Sequence, residues 1–163
     1  MSNSDVRIEK LDPLLVATFW GFGPSPEIVA WEKLAVWARP RGYLDDPEQH
    51  PIYGFNNPDP SPGSPNYGYE LWLVVEPGTE PAGDMRLHSF DGGLYAVMRC
   101  PVPQGNYEVI GATWKQLVAW REDSPYQYAT HQWLEKSVLS PLWNIPMPAG
   151  VEFALDLYLP ITE

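Results

Sequence analysis

Alternation of apolar and polar residues predicts that most of this chain consists of β-strands. Two long alternating segments, 6–20 and 85–100, are each interrupted by an aspartate and a turn residue, Asp12-Pro13 in the first and Asp91-Gly92 in the second. Such an interruption favours one bulged or bent strand in each segment over two separate strands. The same alternation predicts further strands at residues 51–55, 67–76, 130–139 and 151–161.

Two stretches have helical periodicity instead, and both carry the same tryptophan stripe. The pattern Trp-x-x-Leu-x-x-Trp occurs at residues 31–37 and again at residues 114–120, with an offset of 83 residues (114 − 31). It predicts helices at residues 26–42 and at about residues 107–122. Residues spaced i, i+3 and i+6 lie on one helical face, so each stripe is expected to pack its helix against strands. Trp114 is the one stripe residue that could also reach a ligand site.

The order of these elements predicts two β-α-β-β repeats, at about residues 5–76 and 84–161, inside a single domain of residues 1–163. The segments 56–66 and 140–150 are predicted to be joining loops, because prolines at that density cannot lie in a central ladder. The predicted fold class is α+β, with the repeats related by a pseudo-two-fold axis and sharing an antiparallel sheet. A cleft between the halves is the expected ligand site.

Composition and charge indicate which classes of binding partner the chain can have. The chain has 10 basic and 21 acidic residues, a formal net charge of −11, and it has no basic cluster. Because nucleic-acid affinity comes mostly from Lys and Arg at phosphates, no nucleic-acid partner is expected. A single cysteine, Cys100, excludes an intramolecular disulfide. With no signal-peptide pattern and no run of about 18 apolar residues, the expectation is a cytoplasmic protein without a membrane partner.

The usual catalytic and metal-binding motifs are absent from the sequence. The three histidines, His50, His88 and His131, have no metal-ligand spacing, so neither a metal nor another cofactor is expected. The notable feature is the aromatic content of eight Trp, nine Tyr and five Phe. Rings with one polar edge suit a pocket that holds flat or cationic molecules by stacking and cation–π attraction.

Acidic residues within apolar strands are the best candidates for a charged group in such a pocket. Strand alternation places Glu135 on the same face as Trp133. A buried carboxylate there needs a partner, whereas on an edge strand it would simply face water. Alternation likewise places Glu70 with Trp72, and Asp156 with Tyr158.

Five short segments then follow one another along the chain: FNNPDPSP (55–62), the strand start Tyr69-Glu70, FDGGLYAV (90–97), WLEKSV (133–138) and FALDLYLPI (153–161). In this order they resemble the GyrI-like, or bacterial effector-binding, small-molecule-binding domains. Such domains also form the ligand-sensing ends of AraC-type and MerR-type regulators. The resemblance covers essentially the whole chain, and no DNA-binding helix-turn-helix is expected within it.

The resemblance implies a duplicated βαββ fold with a ligand cleft between its halves. It implies that Glu135 is a buried acid meeting a cationic or hydrogen-bonding group, and that Phe153 is a ring of the pocket wall. Trp133 and Tyr69 are candidates for the same wall. Three further aromatic residues complete the set of candidate ligand-binding residues: Phe55, Trp72 and Trp114.

Three functions remain open at this point. The first is a stand-alone protein that binds aromatic or cationic small molecules, as multidrug-binding domains do. The second is a hydrolase of strained cyclopropane-containing toxic compounds, with Glu135 as the catalytic acid/base acting on a water. The third is a protein-interaction module, similar to a gyrase-inhibitor antagonist, in which the acidic surface meets a protein partner. The oligomeric state is not predicted.

Overall fold

A computed structural model describes residues 6–139 and 151–163 of the chain. The chain forms two compact units. We call residues Pro13–Phe90 the central unit, and residues Met1–Asp12 together with Asp91–Glu163 the terminal unit. These boundaries differ from those of the predicted repeats, because the first strand of the chain lies in the same unit as the second repeat. The predicted loop at residues 140–150 lies outside the described residues.

The chain is built from nine strands and two α-helices within the described residues. The strands are β1 (Val6–Leu11), β2 (Leu14–Gly23), β3 (Ile52–Asn56), β4 (Tyr67–Val74), β5 (Arg86–Phe90), β6 (Gly93–Pro103), β7 (Gln127–Tyr128), β8 (Leu134–Leu139) and β9 (Val151–Thr162). The helices are α1 (Pro26–Ala38) and α2 (Glu108–Glu122), and two short 3-10 turns, Arg39–Arg41 and Tyr43–Asp45, follow α1. Neither α-helix of the described part is long and apolar enough to cross a membrane.

Each unit consists of an antiparallel sheet and one helix, so the α+β class is confirmed. In the central unit the strand order is β3-β4-β2-β5. In the terminal unit it is β1-β6-β9-β8, and the short strand β7 pairs with β9. Each unit thus contains the predicted β-α-β-β succession, β2-α1-β3-β4 in one and β6-α2-β8-β9 in the other.

The interrupted segments are not bent strands, and that prediction is wrong. The chain passes from one unit to the other at Asp12-Pro13, where β1 pairs with β6 while β2 pairs with β4 and β5. It passes back at Asp91-Gly92, between β5 and β6. Gly92 has a φ of 79°, and a Cβ there would collide with the backbone of Leu11 and Asp12. Glycine is therefore required at this crossing.

Helix α1 forms where the sequence predicts it and packs closely on its sheet. Pro26 at the first position and Glu27 in the first turn favour a helix start. A Cβ on Gly21 of β2 would clash with the carbonyl oxygen of Pro26 and the backbone nitrogen of Ala30, so the helix backbone lies directly on this strand. Leu34 and Trp37 of the first tryptophan stripe are buried against the sheet.

Helix α2 lies on the terminal sheet through a smaller buried surface. Leu117 is its only fully buried residue, packed among core side chains of β6 and β9, while Trp114 and Trp120 are half-buried against the same cluster. The second tryptophan stripe therefore also faces its sheet, but its two indoles remain partly accessible to solvent.

Replacing Gly111 with alanine should raise the free energy of unfolding by about 0.5–1 kcal/mol. Gly111 is an exposed interior position of α2, and a Cβ there would meet no atom within 4 Å. Urea denaturation followed by circular dichroism measures the change. Gly21→Ala is the opposite control, since its Cβ has no space, and it should destabilise the protein. A Gly111→Ala variant that loses stability would show that α2 needs glycine for packing.

Candidate functional site

Glu135 lies on the face of the terminal sheet that α2 covers. In the strand register it is opposite Leu157 of β9, which in turn is opposite Met98 of β6. Paired residues of antiparallel strands point to the same face, and both Leu157 and Met98 belong to the core cluster beneath α2. The carboxyl side chain of Glu135 is half-buried there. The indole Nε1 of Trp114 donates a hydrogen bond to Glu135 Oε2 at 3.3 Å.

A row of aromatic rings leads from this carboxylate to the surface. The rings of Trp114 and Trp133 have centroids 5.4 Å apart at 43°. Tyr128 stacks on Trp133 at 6.0 Å, and the guanidinium carbon of Arg121 lies 4.0 Å above the Tyr128 ring. Trp133 is 40% exposed, so the row is open to solvent at this end. We call Trp114, Trp133 and Glu135 the tryptophan–glutamate site.

Sequence reasoning missed Tyr128 and Arg121, which extend this row. Tyr128 lies on the two-residue strand β7, too short for alternation to reveal, and Arg121 lies in the last turn of α2. The proximity of "PYQY" (125–128) to the end of α2 is the only sequence signal that pointed to a ring near Arg121.

Phe153 lies on the same face of the terminal sheet as Glu135. Its ring packs against the cluster beneath α2 and stacks on Tyr107 at a centroid distance of 6.1 Å. Tyr107 comes just before α2 and is exposed. Four of the seven predicted ligand-binding residues, Glu135, Trp133, Trp114 and Phe153, therefore share one face of one unit.

The other three predicted residues belong to the central unit, where they lie on two faces of its sheet. Tyr69 is opposite Gly21 in the register, so it lies on the side of α1, and its ring covers Gly54. Phe55 and Trp72 lie on the face without a helix, with their rings in an edge contact at 5.0 Å. Tyr69 consequently does not share a surface with Phe55 and Trp72.

Glu70 accompanies Phe55 and Trp72 on that face. Trp72 Nε1 donates a hydrogen bond to Glu70 Oε2 at 2.7 Å, and Asn57 Nδ2 donates to Oε1 at 3.3 Å. Trp72 itself is buried. Both units thus pair a strand glutamate with the N–H of an indole, through Trp114 in one and Trp72 in the other.

Asp156 is the one buried charged residue within the described part of the chain, and it lies on the helix-free face of the terminal sheet. Arg7 Nη2 donates to its Oδ2 at 2.6 Å, and Arg99 Nε donates to its Oδ1 at 2.9 Å. Burial alone would raise the pKa of Asp156, but the hydrogen bonds and charges of Arg99 and Arg7 outweigh burial and hold that pKa below its usual value. Asp156 is therefore an ionised structural residue.

The described residues offer no group of three or more His, Cys, Asp or Glu side chains able to hold a metal ion. Cys100 is buried beneath α2, and burial raises the pKa of its thiol. Its sulfur is 3.7 Å from the Val109 carbonyl oxygen. The chemistry available beneath α2 is therefore one carboxylate among aromatic rings, which suits binding of a small molecule by charge and stacking.

The antiparallel sheets and the β-α-β-β succession in each unit place the chain in the class of duplicated α+β domains. Residues 7–161 match the model of one family within it, Cass2, the integron-associated effector binding proteins. The chain belongs to that family, and its likeness to GyrI-like domains is confirmed. No curated protein matches the chain in sequence.

Solved structures with the same fold have little sequence in common with this chain. The C-terminal domain of EcmrR is 12% identical, with a TM-score of 0.68 and coverage of 97% of both chains. Against the longer EcmrR of an EcmrR–DNA complex, the chain spans 57% of that protein. A hydrolase from Listeria innocua is 12% identical at a TM-score of 0.68, covering 99% of this chain and 94% of its own. SAV2435 bound to tetraphenylphosphonium is 9% identical at a TM-score of 0.52, covering 96% and 93%.

Proposed function

We propose that this protein binds aromatic cations and that the tryptophan–glutamate site supplies the charge and the rings that hold them. The observation that carries the proposal is the half-buried carboxylate of Glu135, hydrogen-bonded by Trp114 and flanked by Trp133. An indole face attracts a cation by 0.5 to about 2 kcal/mol depending on desolvation. A carboxylate about 5 Å away adds roughly 3 kcal/mol at an effective dielectric constant of about 20.

Membership of an effector-binding family supports a ligand-binding role for the chain. The related fold of SAV2435 with bound tetraphenylphosphonium supports an aromatic cation as the ligand class. Tetraphenylphosphonium has no N–H or O–H group, so its affinity depends on charge and ring contacts alone. It is therefore the suitable first probe.

Replacing Glu135 with glutamine should weaken tetraphenylphosphonium binding by about tenfold or more, because glutamine keeps the shape and removes the charge. Binding of triphenylphosphine oxide, which is neutral and has three of the same rings, should change little. Isothermal titration calorimetry measures both affinities. Glu122→Gln is the matched control, since it removes an exposed carboxylate from the end of α2.

Equal losses for the charged and the neutral ligand would contradict the counter-charge role of Glu135. Trp114→Phe distinguishes the contribution of the ring face to binding from that of the indole N–H. The variant keeps an aromatic face and loses the hydrogen-bond donor to Glu135. A ligand that uses the ring face should retain most of its affinity for this variant.

The same samples test hydrolysis, the alternative that also uses Glu135. A cyclopropane-containing substrate hydrolysed by water gains 18 mass units, which mass spectrometry detects. Turnover in the wild type that disappears in Glu135→Gln would favour the hydrolase. Binding without any mass change would favour the binding protein.

A further inference from the structure

A cavity lies in the central unit, beyond the C-terminal end of α1. It has a volume of about 450 Å³, within the range of small-molecule sites. Its lining includes three rings, those of Trp37, Tyr43 and His50, and three aliphatic side chains that carry oxygen, those of Glu76, Thr79 and Glu80. We call it the α1-end cavity. It is built from residues of the central unit, whereas the tryptophan–glutamate site is built from residues of the terminal unit.

The ring wall of the α1-end cavity is fixed in place. Trp37 and Tyr43 stack with centroids 5.3 Å apart at 15°, and His50 meets Tyr43 edge-on at 4.6 Å. The Tyr43 hydroxyl lies 3.4 Å from Thr79 Oγ1 and accepts a hydrogen bond from the backbone N–H of Glu76 at 3.4 Å. Such a wall loses little conformational entropy when a ligand binds.

Hydrogen-bond acceptors predominate around these rings. His50 Nδ1 lies 2.9 Å from the Val74 carbonyl oxygen, which can only accept, so in the neutral ring Nδ1 carries the proton and Nε2 is an acceptor. The carboxyl side chain of Glu76 is 66% exposed, with an oxygen 3.7 Å from His50 Nε2. Within the described residues Glu80 makes no hydrogen bond or ion pair. Two carboxylates and an imidazole nitrogen can thus receive donors from a ligand.

The protein already holds one cation against this wall. The guanidinium carbon of Arg41 lies 4.6 Å from the centroid of the Trp37 ring, and Arg41 Nη1 donates to the Trp37 carbonyl oxygen at 2.6 Å. Arg41 also lines the cavity. The arrangement shows that the ring of Trp37 accommodates a cation, and it leaves the lining with two negative charges against one positive charge.

From this geometry we propose that the α1-end cavity is a second binding site, specific for small organic ammonium ions. The ammonium group donates to Glu76, Glu80 and His50 Nε2, and the carbon skeleton of the ligand lies against Tyr43. Arg41 competes with the ligand for the face of Trp37. The site goes beyond the proposed function at Glu135, because none of its residues belongs to the tryptophan–glutamate site.

Benzylammonium, with benzyl alcohol as its neutral counterpart, tests this site in a Glu135→Gln background. His50 is one of three histidines in the chain, so its imidazole proton resonances are readily assigned and report binding locally by NMR. Benzylammonium should shift the His50 resonances and leave those of His88 and His131 in place. The double variant Glu76→Gln/Glu80→Gln should weaken benzylammonium binding about tenfold without affecting the binding of benzyl alcohol.

Arg41→Met should change the affinity for benzylammonium in the opposite direction to the two glutamine substitutions. It keeps an apolar stem over Trp37 and removes the competing cation, so benzylammonium should bind more tightly than to the parent. Glu32→Gln, which removes an exposed α1 carboxylate outside the cavity lining, is the matched control and should leave affinity unchanged. Weaker binding to Arg41→Met, or no shift of His50 at saturation, would overturn the proposal. Because Glu135 is already glutamine, its carboxylate contributes to neither result, and the His50 resonances report on the α1-end cavity.

Discussion

Replacing Asp156 with alanine should lower the free energy of unfolding at pH 7 by about 3 kcal/mol, the lower end of the cost of breaking a buried ion pair. Asp156 is 1% exposed and holds both Arg7 and Arg99. The two arginine side chains are roughly half exposed, so water partly solvates them once the carboxylate is gone. That solvation keeps the cost from reaching the upper end of the range.

The contribution of Asp156 should also disappear in acid. Its pKa in the folded protein is lower than the value of 3.8 expected when unfolded, because the hydrogen bonds and charges of Arg99 and Arg7 outweigh desolvation. The stabilisation is therefore complete above pH 3.8 and is lost as the pH falls through the lowered pKa of the folded state. Urea denaturation of the wild type and of Asp156→Asn at several pH values measures this, and the difference between them should shrink in that window.

Asp84→Ala is the control for a surface ion pair. Asp84 pairs with Lys33 at 3.0 Å but is largely exposed, so its removal should cost less than about 1 kcal/mol. Equal costs for Asp84→Ala and Asp156→Ala would show that burial does not strengthen the Asp156 interactions.

The sequence predicted the elements of this fold better than their pairing. Alternation placed Glu135 with Trp133, and Asp156 with Tyr158, because the period of a strand is a local property. It could not identify Arg7 as a partner of Asp156, since 149 residues separate them. For the same reason the pattern around Asp12-Pro13 predicts a bend in one strand where the structure has two strands. Whether a strand continues in the same sheet depends on distant partners, here β6 for β1 and β4 for β2.

The sequence also predicted the individual site residues better than the faces of the sheets that they share. The predicted ligand-binding residues share one face of the sheet in the terminal unit, but they lie on two opposite faces of the sheet in the central unit. A one-residue step along β4 separates Tyr69 from Glu70, and therefore moves the side chain to the other side of the sheet. Alternation along β4 is enough to separate Tyr69 from Trp72, but placing Phe55 on the face of Trp72 requires the register between β3 and β4.

Replacing Leu117 with alanine should cost about 2–5 kcal/mol of stability and should also weaken tetraphenylphosphonium binding. Leu117 is the one fully buried residue of α2, and Trp114 precedes it by three residues on the same helical face. The contact of Leu117 with the sheet therefore holds the Trp114 indole beside Glu135. A cavity in place of Leu117 should let α2 shift and make the indole–carboxylate distance variable. Denaturation and calorimetry on the same sample measure both effects.

Leu34→Ala is the matched control for Leu117→Ala, because the internal repeat places an equivalent leucine in α1. Leu34 occupies the equivalent position in α1, 83 residues earlier (117 − 34), and it is also fully buried. The two variants lose the same apolar atoms from the same kind of helix–sheet contact, so their stability losses should be similar. Only Leu117 supports the residues that surround Glu135. If Leu34→Ala weakens tetraphenylphosphonium binding as much as Leu117→Ala does, when both are assayed fully folded, then affinity does not depend on how α2 positions Trp114. A loss confined to Leu117→Ala would show that this one apolar contact controls the geometry of the tryptophan–glutamate site.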